Sequence, residues 1–246
     1  MREALVVGGA NGIGLAIATL LARDAAYSKV HIVDRASVAE EYACEKFEQY
    51  EFDLRDGDFA LFDRFANVDT VMITAGFGRL AHFADVDEQH IVDSLSVNTT
   101  AVIRIIHHFY PRLLEREPLY LGVMGSIAGF MSSPLFAVYG ASKAALKIFI
   151  ESVNVELEMA GTSNRILNVS PGSIKGTAFY NGANDLSITT KLAEEVIANL
   201  RAQNDLFIPQ YDEIFREVLN RYHADFRAEG RHSYEYKLQS GRLKKD

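Results

Sequence analysis

Short runs of β-branched and aliphatic residues alternate along the chain with longer segments whose apolar positions recur every three to four residues. The short runs predict strands at ALVV (4–7), VHIV (30–33), YEF (50–52), VMI (71–73), LYLGVM (119–124), ILNV (166–169) and LFI (206–208). The longer segments predict helices near 13–23, 38–47, 57–66, 87–115, 139–159, 189–203 and 211–224. Alternation of this kind builds βαβ units. ALVV and VMI are apolar at every position, as strands covered on both sides are. The expected fold class is therefore α/β, a doubly wound, mainly parallel sheet with helices on both faces. No Pro/Gly/Ser-rich linker divides the chain, so residues 1–246 read as one domain.

Composition narrows the classes of function. A hydrophobic content of 48% is globular, and no run of about 18 apolar residues is present to span a bilayer. The opening MREALVV is interrupted by glycine too early to read as a secretory signal. Cys44 is the only cysteine, which excludes an internal disulfide and fits a reducing cytoplasm. A net charge of −8 disfavours nucleic acid and anionic membranes as partners. The basic end GRLKKD reads as a solvated terminus.

Candidate chemistry starts at the first strand–helix junction. GGANGIG (8–14) gives up side chains between ALVV and the amphipathic LAIATLLAR. Glycines there allow a sharp turn and let a pyrophosphate approach the amides of a helix N-terminus, where the helix dipole favours anions. The next strand ends in Asp34, 20 residues after Gly14, the spacing at which a carboxylate can accept hydrogen bonds from a ribose diol. Farther on, YGASKAA places Tyr139 and Lys143 at i and i+4 on one helical face. An ammonium beside a phenol stabilises the phenolate, which predicts a lowered value for Tyr139. The same spacing recurs at Tyr42 and Lys46, read as an ordinary helix surface. What distinguishes Tyr139 is Ser126, at the end of YLGVM in GSIAG, where ligands of a doubly wound sheet gather.

Together these residues resemble the short-chain dehydrogenase/reductase family over about residues 4–177. VGGANGIG is similar to its cofactor loop, with Gly8, Gly12 and Gly14 at the glycine positions, and ITAGFG (73–78) to its fourth-strand segment. Asp53 in FDLRD matches an acid that meets adenine, and Asn98 in SVNTTA matches an asparagine that joins Ser126, Tyr139 and Lys143 in a catalytic tetrad. SPGSIKGT (170–177) resembles the segment at the nicotinamide carboxamide. The resemblance implies a Rossmann-type fold and an alcohol dehydrogenase or carbonyl reductase with a nicotinamide cofactor, and Asp34, which should repel a 2′-phosphate, favours NAD over NADP although Arg35 beside it softens the exclusion. Tyr139 would exchange a proton with the substrate oxygen and Ser126 would stabilise that oxygen. Lys143 would tune Tyr139 and hold the nicotinamide ribose, and Asn98 would position a relay water. Cofactor contacts are implied at Gly8, Asn11, Gly12, Ile13, Gly14, Asp34, Arg35, Asp53, Leu54, Ala75, Gly76, Tyr139, Lys143, Ile174 and Thr177. No metal is implied.

The sequence departs from the family's pattern at Val7, where threonine is usual, at Thr74, where asparagine is common, and at Gly176, which reads as one extra residue before Thr177. After residue 190 the match thins, and about 209–246 reads as an atypical C-terminal helix and tail. Tyr234 and Tyr236 alternate in SYEYKL, which predicts an extended segment with one face packed against the domain or a neighbouring subunit, near the loop at 179–190. Phe77, Ile127, Phe130, Leu135, Phe136, Phe179 and Tyr180 fall near the strand ends and suggest a mostly apolar pocket for a small alcohol or carbonyl substrate. His107 and His108 read as helix-surface or subunit-contact residues, because no other ligand falls at metal spacing. Segments 87–115 and 139–159 carry apolar residues on more than one face, for which the resemblance implies a homodimer or homotetramer. Pro111 should bend the first of them or lie in its last turn. The competing readings are an idle cofactor-sensing protein of the same fold, a sugar-nucleotide epimerase of a related, longer group, and an acyl-carrier reductase. The complete tetrad, the chain length and the acidic charge, respectively, weigh against them.

Overall fold

The computed structural model describes residues 1–55, 57–177, 179, 184–240 and 243. Its strands are β1 (Arg2–Val7), β2 (Tyr27–Asp34), β3 (Phe47–Glu51), β4 (Thr70–Ile73), β5 (Tyr120–Met124), β6 (Ile166–Val169) and β7 (Leu206–Phe207). All pair in parallel, in the order β3-β2-β1-β4-β5-β6-β7. The order reverses between β1 and β4, so a crevice opens above their carboxyl ends.

Strand periodicity sorts the core into two layers. Leu5 and Val7 of β1 point to one face with Val71, Ile73, Leu121 and Val123; helices α3 (Val102–Leu113) and α4 (Ala137–Met159) cover it with Ile105, Phe109, Leu146 and Ile150. Ala4 and Val6 point to the other with Ile32, Met72 and Leu167, under α1 (Gly12–Arg23) and α5 (Leu186–Arg201) through Leu15, Ile17, Ala193 and Val196. The expected single α/β domain with helices on both faces is the fold observed.

Several element boundaries differ from the sequence pattern. Residues 38–47 do not form a helix: a 3₁₀ turn spans Glu40–Tyr42, and β3 then begins at Phe47. The Lys46 ammonium donates to the carbonyls of Asp24 and Tyr27, at 3.1 and 2.7 Å, which draws it to the start of β2 and away from any helical face shared with Tyr42. The segment read as one helix at 87–115 is α2 (Glu88–Leu95), a π-helical turn (Ser96–Ala101) and α3, with Pro111 in the last turn of α3. The largest difference is at the C-terminus. Tyr234 and Tyr236 lie in a helix, α7 (Phe226–Gln239), which follows α6 (Arg216–Ala224). The carboxylate of Asp225 accepts from the amides of Arg227 and Ala228 and caps α7, so a satisfied helix N-terminus outweighs two alternating tyrosines. Among the described residues no helix is long and apolar enough to cross a membrane.

Candidate active site

The β1–α1 turn is built so that two backbones touch. Gly8 has φ of +84°, and a Cβ placed on it would lie 2.4 Å from the amide nitrogen of Ala75 at the end of β4. A Cβ on Gly14 would lie 2.2 Å from the carbonyl oxygen of Gly8. The hydroxyl of Thr74 donates to the carbonyls of Val7 and Gly8, so the threonine at this position ties β4 to the turn. Gly12, at φ +55°, opens α1, and with Gly14 it leaves two of the first three helical positions without a side chain.

From this turn a cleft of about 900 Å³ runs along the strand ends to Tyr139 and on beneath α6 and α7. Its walls include Gly8, Asn11, Gly12, Ile13, Gly14, Asp34, Arg35, Asp53, Leu54, Ala75, Gly76, Ser126, Tyr139, Lys143, Ile174 and Thr177, so one cavity gathers nearly every residue singled out from the sequence. Asp34 is held by the amides of Ala10 and Ala36, at 3.0 and 3.1 Å. Asp53 pairs with Arg55, whose hydrogen bonds lower its carboxyl to about 2. Gly176, read from the sequence as one extra residue, takes φ of +73°, a left-handed conformation that glycine adopts at little steric cost. Thr177 then returns to the first turn, its methyl 3.4 Å from where a Cβ on Gly12 would stand.

Asn98 is the exception, because it stands behind the wall. It sits in the π-helical turn, fully buried, and its side chain donates to the Phe77 carbonyl and accepts from the Phe77 amide, at 2.8 and 2.9 Å. Its Nδ2 also lies 3.2 Å from the Ser142 hydroxyl. Gly76 is the thin partition: a Cβ there would lie 3.2 Å from Asn98 Oδ1 and 3.3 Å from Lys143 Nζ.

Burial governs the titration of Tyr139 and Lys143. The Ser126 hydroxyl bonds the Tyr139 phenol and favours its ionised form, but removal from water outweighs it and pushes the phenol up to about 12. Lys143, only 3% exposed, donates to the Met124 carbonyl at 2.8 Å, and burial brings it down to about 8. The ammonium stands 5.8 Å from the Tyr139 ring centre. The sequence-based expectation of a lowered phenol is thus reversed in the ligand-free fold, because desolvation opposes the charged form of each partner.

Two features had no signal in the motifs. The Asn184 carboxamide accepts from the Gly12 amide and donates to Asn11 Oδ1, both at 2.8 Å, bridging 172 residues of sequence to reach the helix N-terminus. Helices α6 and α7 add Val218, Glu229, His232, Ser233, Tyr236 and Lys237 to the far wall. The Asp225 cap was the available sign of α7. Of the residues expected around an apolar pocket, Phe77, Ile127, Phe136 and Phe179 line the cleft, while Phe130 packs with Ile127, Ile208 and Leu219. Leu135 is buried in the preceding loop, and Tyr180 lies outside the described residues. His108 meets Asp63 at 3.4 Å, and among the described residues no group of three His, Cys, Asp or Glu side chains could hold a metal ion.

Comparison with known proteins gives this geometry a lineage. The family model described as short chain dehydrogenase matches residues 2–186. The chain belongs to the short-chain dehydrogenase family of oxidoreductases. Human 17-beta-hydroxysteroid dehydrogenase type 1 is 30% identical over 182 residues, 68% of this chain and 56% of that protein. An uncharacterized short-chain type dehydrogenase/reductase from Sinorhizobium fredii is 29% identical over 175 residues, 70% of this chain and 69% of its own length. Among solved structures, a short-chain dehydrogenase from Sphingobium yanoikuyae in complex with NADPH superposes with a TM-score of 0.73 at 20% identity, over 92% of this chain and 96% of that one. A short-chain dehydrogenase from Streptomyces avermitilis gives 0.74 at 20% identity, over 98% and 100%. Likeness at this identity carries the dehydrogenase fold and leaves the chemistry to the residues of this chain.

An amine held near 8 in the fold, and at its ordinary 10.5 when unfolded, binds fewer protons folded than unfolded between those values. Keeping Lys143 charged therefore costs stability at neutral pH, and the cost shrinks as pH rises from about 8 towards 10.5. Between pH 7 and about 9.5 the parent should gain about 2 kcal/mol of unfolding free energy relative to Lys143→Met, measured by urea denaturation. A difference that stays constant with pH would show that burial does not perturb this amine.

Proposed function

We propose that the protein interconverts a secondary alcohol and a ketone with NAD as the hydride partner. The observation that carries this reading is the convergence of the Tyr139 phenol, the Ser126 hydroxyl and the buried Lys143 on the same cleft that begins at the glycine-rich turn into α1. The cradle fits a dinucleotide on physical grounds. Side chains are excluded where backbone must approach phosphate, a helix N-terminus faces the space, and a carboxylate stands at the end of β2. A nicotinamide dinucleotide, when bound, would supply or accept the hydride.

The remaining steps belong to the protein. In the reducing direction Tyr139, kept protonated by burial, gives its phenolic proton to the substrate oxygen. Ser126 bonds the same oxygen as negative charge develops on it. Lys143, brought down to about 8 and 5.8 Å from the Tyr139 ring centre, can exchange a proton near neutral pH and would serve as the nearby proton reserve for the phenol. Asn98 fixes the Phe77 backbone and the position of Gly76, and so shapes the floor beside Lys143. Beyond Tyr139 the cleft walls include Met131, Phe136, Phe179, Ile214, Phe215 and Val218 beside the polar groups of α7, which gives an apolar substrate body a surface to pack on. The human relative's printed name, a 17-beta-hydroxysteroid dehydrogenase, describes an alcohol of that general kind.

Asp34 supports NAD over NADP. Its carboxylate would accept the two hydroxyls of a ribose and repel a 2′-phosphate, with Arg35 beside it as an opposing feature. A reducing cytoplasm is the proposed compartment, on the single, exposed Cys44. Self-association is proposed through α2–α3 and α4, where Val92, Leu95, Leu114, Ile148, Val155 and Met159 stand exposed. A second copy is the occupant favoured, because the two helical faces belong to one side of the sheet and match in apolar character.

A screen of alcohols and ketones with both cofactors, followed by NADH absorbance, tests the activity. Turnover is expected with at least one apolar ketone, and flat traces despite tight cofactor binding would favour the sensing protein instead. NADH should bind at least about tenfold more tightly than NADPH, roughly 1.4 kcal/mol, measured by NADH fluorescence because the chain lacks tryptophan. Equal affinities would contradict the role given to Asp34. Sedimentation velocity should show a dimer or tetramer that Ile148→Asp with Val155→Asp dissociates, and a monomeric parent would remove the self-association proposal.

A further inference from the structure

Helix α7 is fastened at both ends. At its start Asp225 caps it, and the buried Glu229 pairs with Arg221 of α6 at 2.8 Å. Gly230 then faces the loop that precedes Tyr139: a Cβ there would lie 3.5 Å from Ser132 Oγ and 3.8 Å from the Pro134 ring. Two helical turns on, along the same face, Lys237 donates to the Ser133 hydroxyl at 2.7 Å and to the Pro134 carbonyl at 2.8 Å. Its ammonium stands 5.7 Å from the centre of the Phe136 ring.

The loop so held is strained and touches the site. Leu135 is buried with φ of 64°, a left-handed conformation that a branched residue keeps only when its surroundings impose it. Its carbonyl accepts from the Ala81 amide at 3.0 Å. The next residue, Phe136, lies 5.3 Å from the Tyr139 ring and stacks on Phe179 at 6.0 Å. Gly78 closes the other side, where a Cβ would lie 2.8 Å from Phe136 and 2.9 Å from Tyr139. Movement of Ser133 or Pro134 therefore reaches the Tyr139 ring through a single intervening side chain.

We propose that Lys237 is a positioning residue for the substrate half of the site: by holding Ser133 and Pro134 it keeps Phe136 against Tyr139 and sets the wall on which the substrate body packs. The proposal rests on the oxidoreductase reading above. Lys237 acts through Phe136 and takes no part in the proton transfer.

The test compares Lys237→Met, Lys237→Arg and Ser133→Ala with the parent by hydrogen–deuterium exchange and by steady-state kinetics on the best substrate of the screen. Lys237→Met should speed exchange in residues 131–137 about tenfold and leave residues 8–14 unchanged, the scale set by two charge-assisted hydrogen bonds. KM should rise about tenfold while kcat changes less than about threefold, and the NADH dissociation constant should stay the same. Lys237→Arg should restore both values, because a guanidinium can serve both acceptors. Ser133→Ala, which removes one acceptor, should shift KM in the same direction by about threefold. Unchanged exchange at 131–137 would overturn the proposal, and so would faster exchange with KM unmoved. A parent that turns over no alcohol or ketone would undo the oxidoreductase reading, and the exchange comparison would then decide the tie by itself.

Discussion

The carboxyl ends of β1 and β4 approach so closely that no side chain fits between them. A Cβ on Gly8 would lie 2.4 Å from the Ala75 amide nitrogen, well inside contact distance. Most of the site follows from that approach. With the strand ends pressed together, the chain turns directly into α1 at a glycine-rich helix N-terminus, and the crevice of the switch point becomes a continuous cleft. Thr74 fixes the approach from the β4 side with two hydrogen bonds to the turn. Gly76, two residues on, keeps Asn98 and Lys143 near each other across a partition that has no side chain of its own.

Burial then sets the chemistry. Tyr139 and Lys143 share one helical face, but in the ligand-free fold they do not neutralise each other. The phenol is raised and the amine lowered, each by loss of water. Both are therefore biased to their neutral forms, a phenol that holds its proton and an amine that can exchange one near neutral pH. In the proposed reaction that bias suits ketone reduction, where the phenol must donate, and it makes Ser126 the group that favours the ionised phenol in the reverse direction.

What could be read from the sequence was local. The glycine turn, Asp34 at the end of β2, Ser126 at the end of β5 and the Tyr139–Lys143 pair each sit within a few residues of the element boundary that positions them, so strand and helix periodicity were enough to find them. The sign of the Tyr139 shift was not legible, since it depends on how much of the fold closes over the ring. Nor was Asn184, whose bridge to Gly12 is purely tertiary. Residues 38–47 have a helical pattern, but parallel pairing of Phe47 with Val30 and the reach of Lys46 to the start of β2 take precedence. At the C-terminus two alternating tyrosines suggested an extended tail, and the capping aspartate just before them was the better signal.

In the proposed reaction the Tyr139 hydroxyl carries the proton that accompanies hydride transfer. Tyr139→Phe removes that hydroxyl and keeps the ring that packs on Phe136 and Phe179. The decisive measurement is turnover of this variant on the parent's best substrate, taken together with its NADH affinity. Turnover should fall by a factor on the order of 10² to 10⁴ with NADH binding nearly unchanged, because cofactor affinity is assigned to the glycine turn, Asp34 and Lys143. Turnover equal to the parent's would contradict the role given to Tyr139.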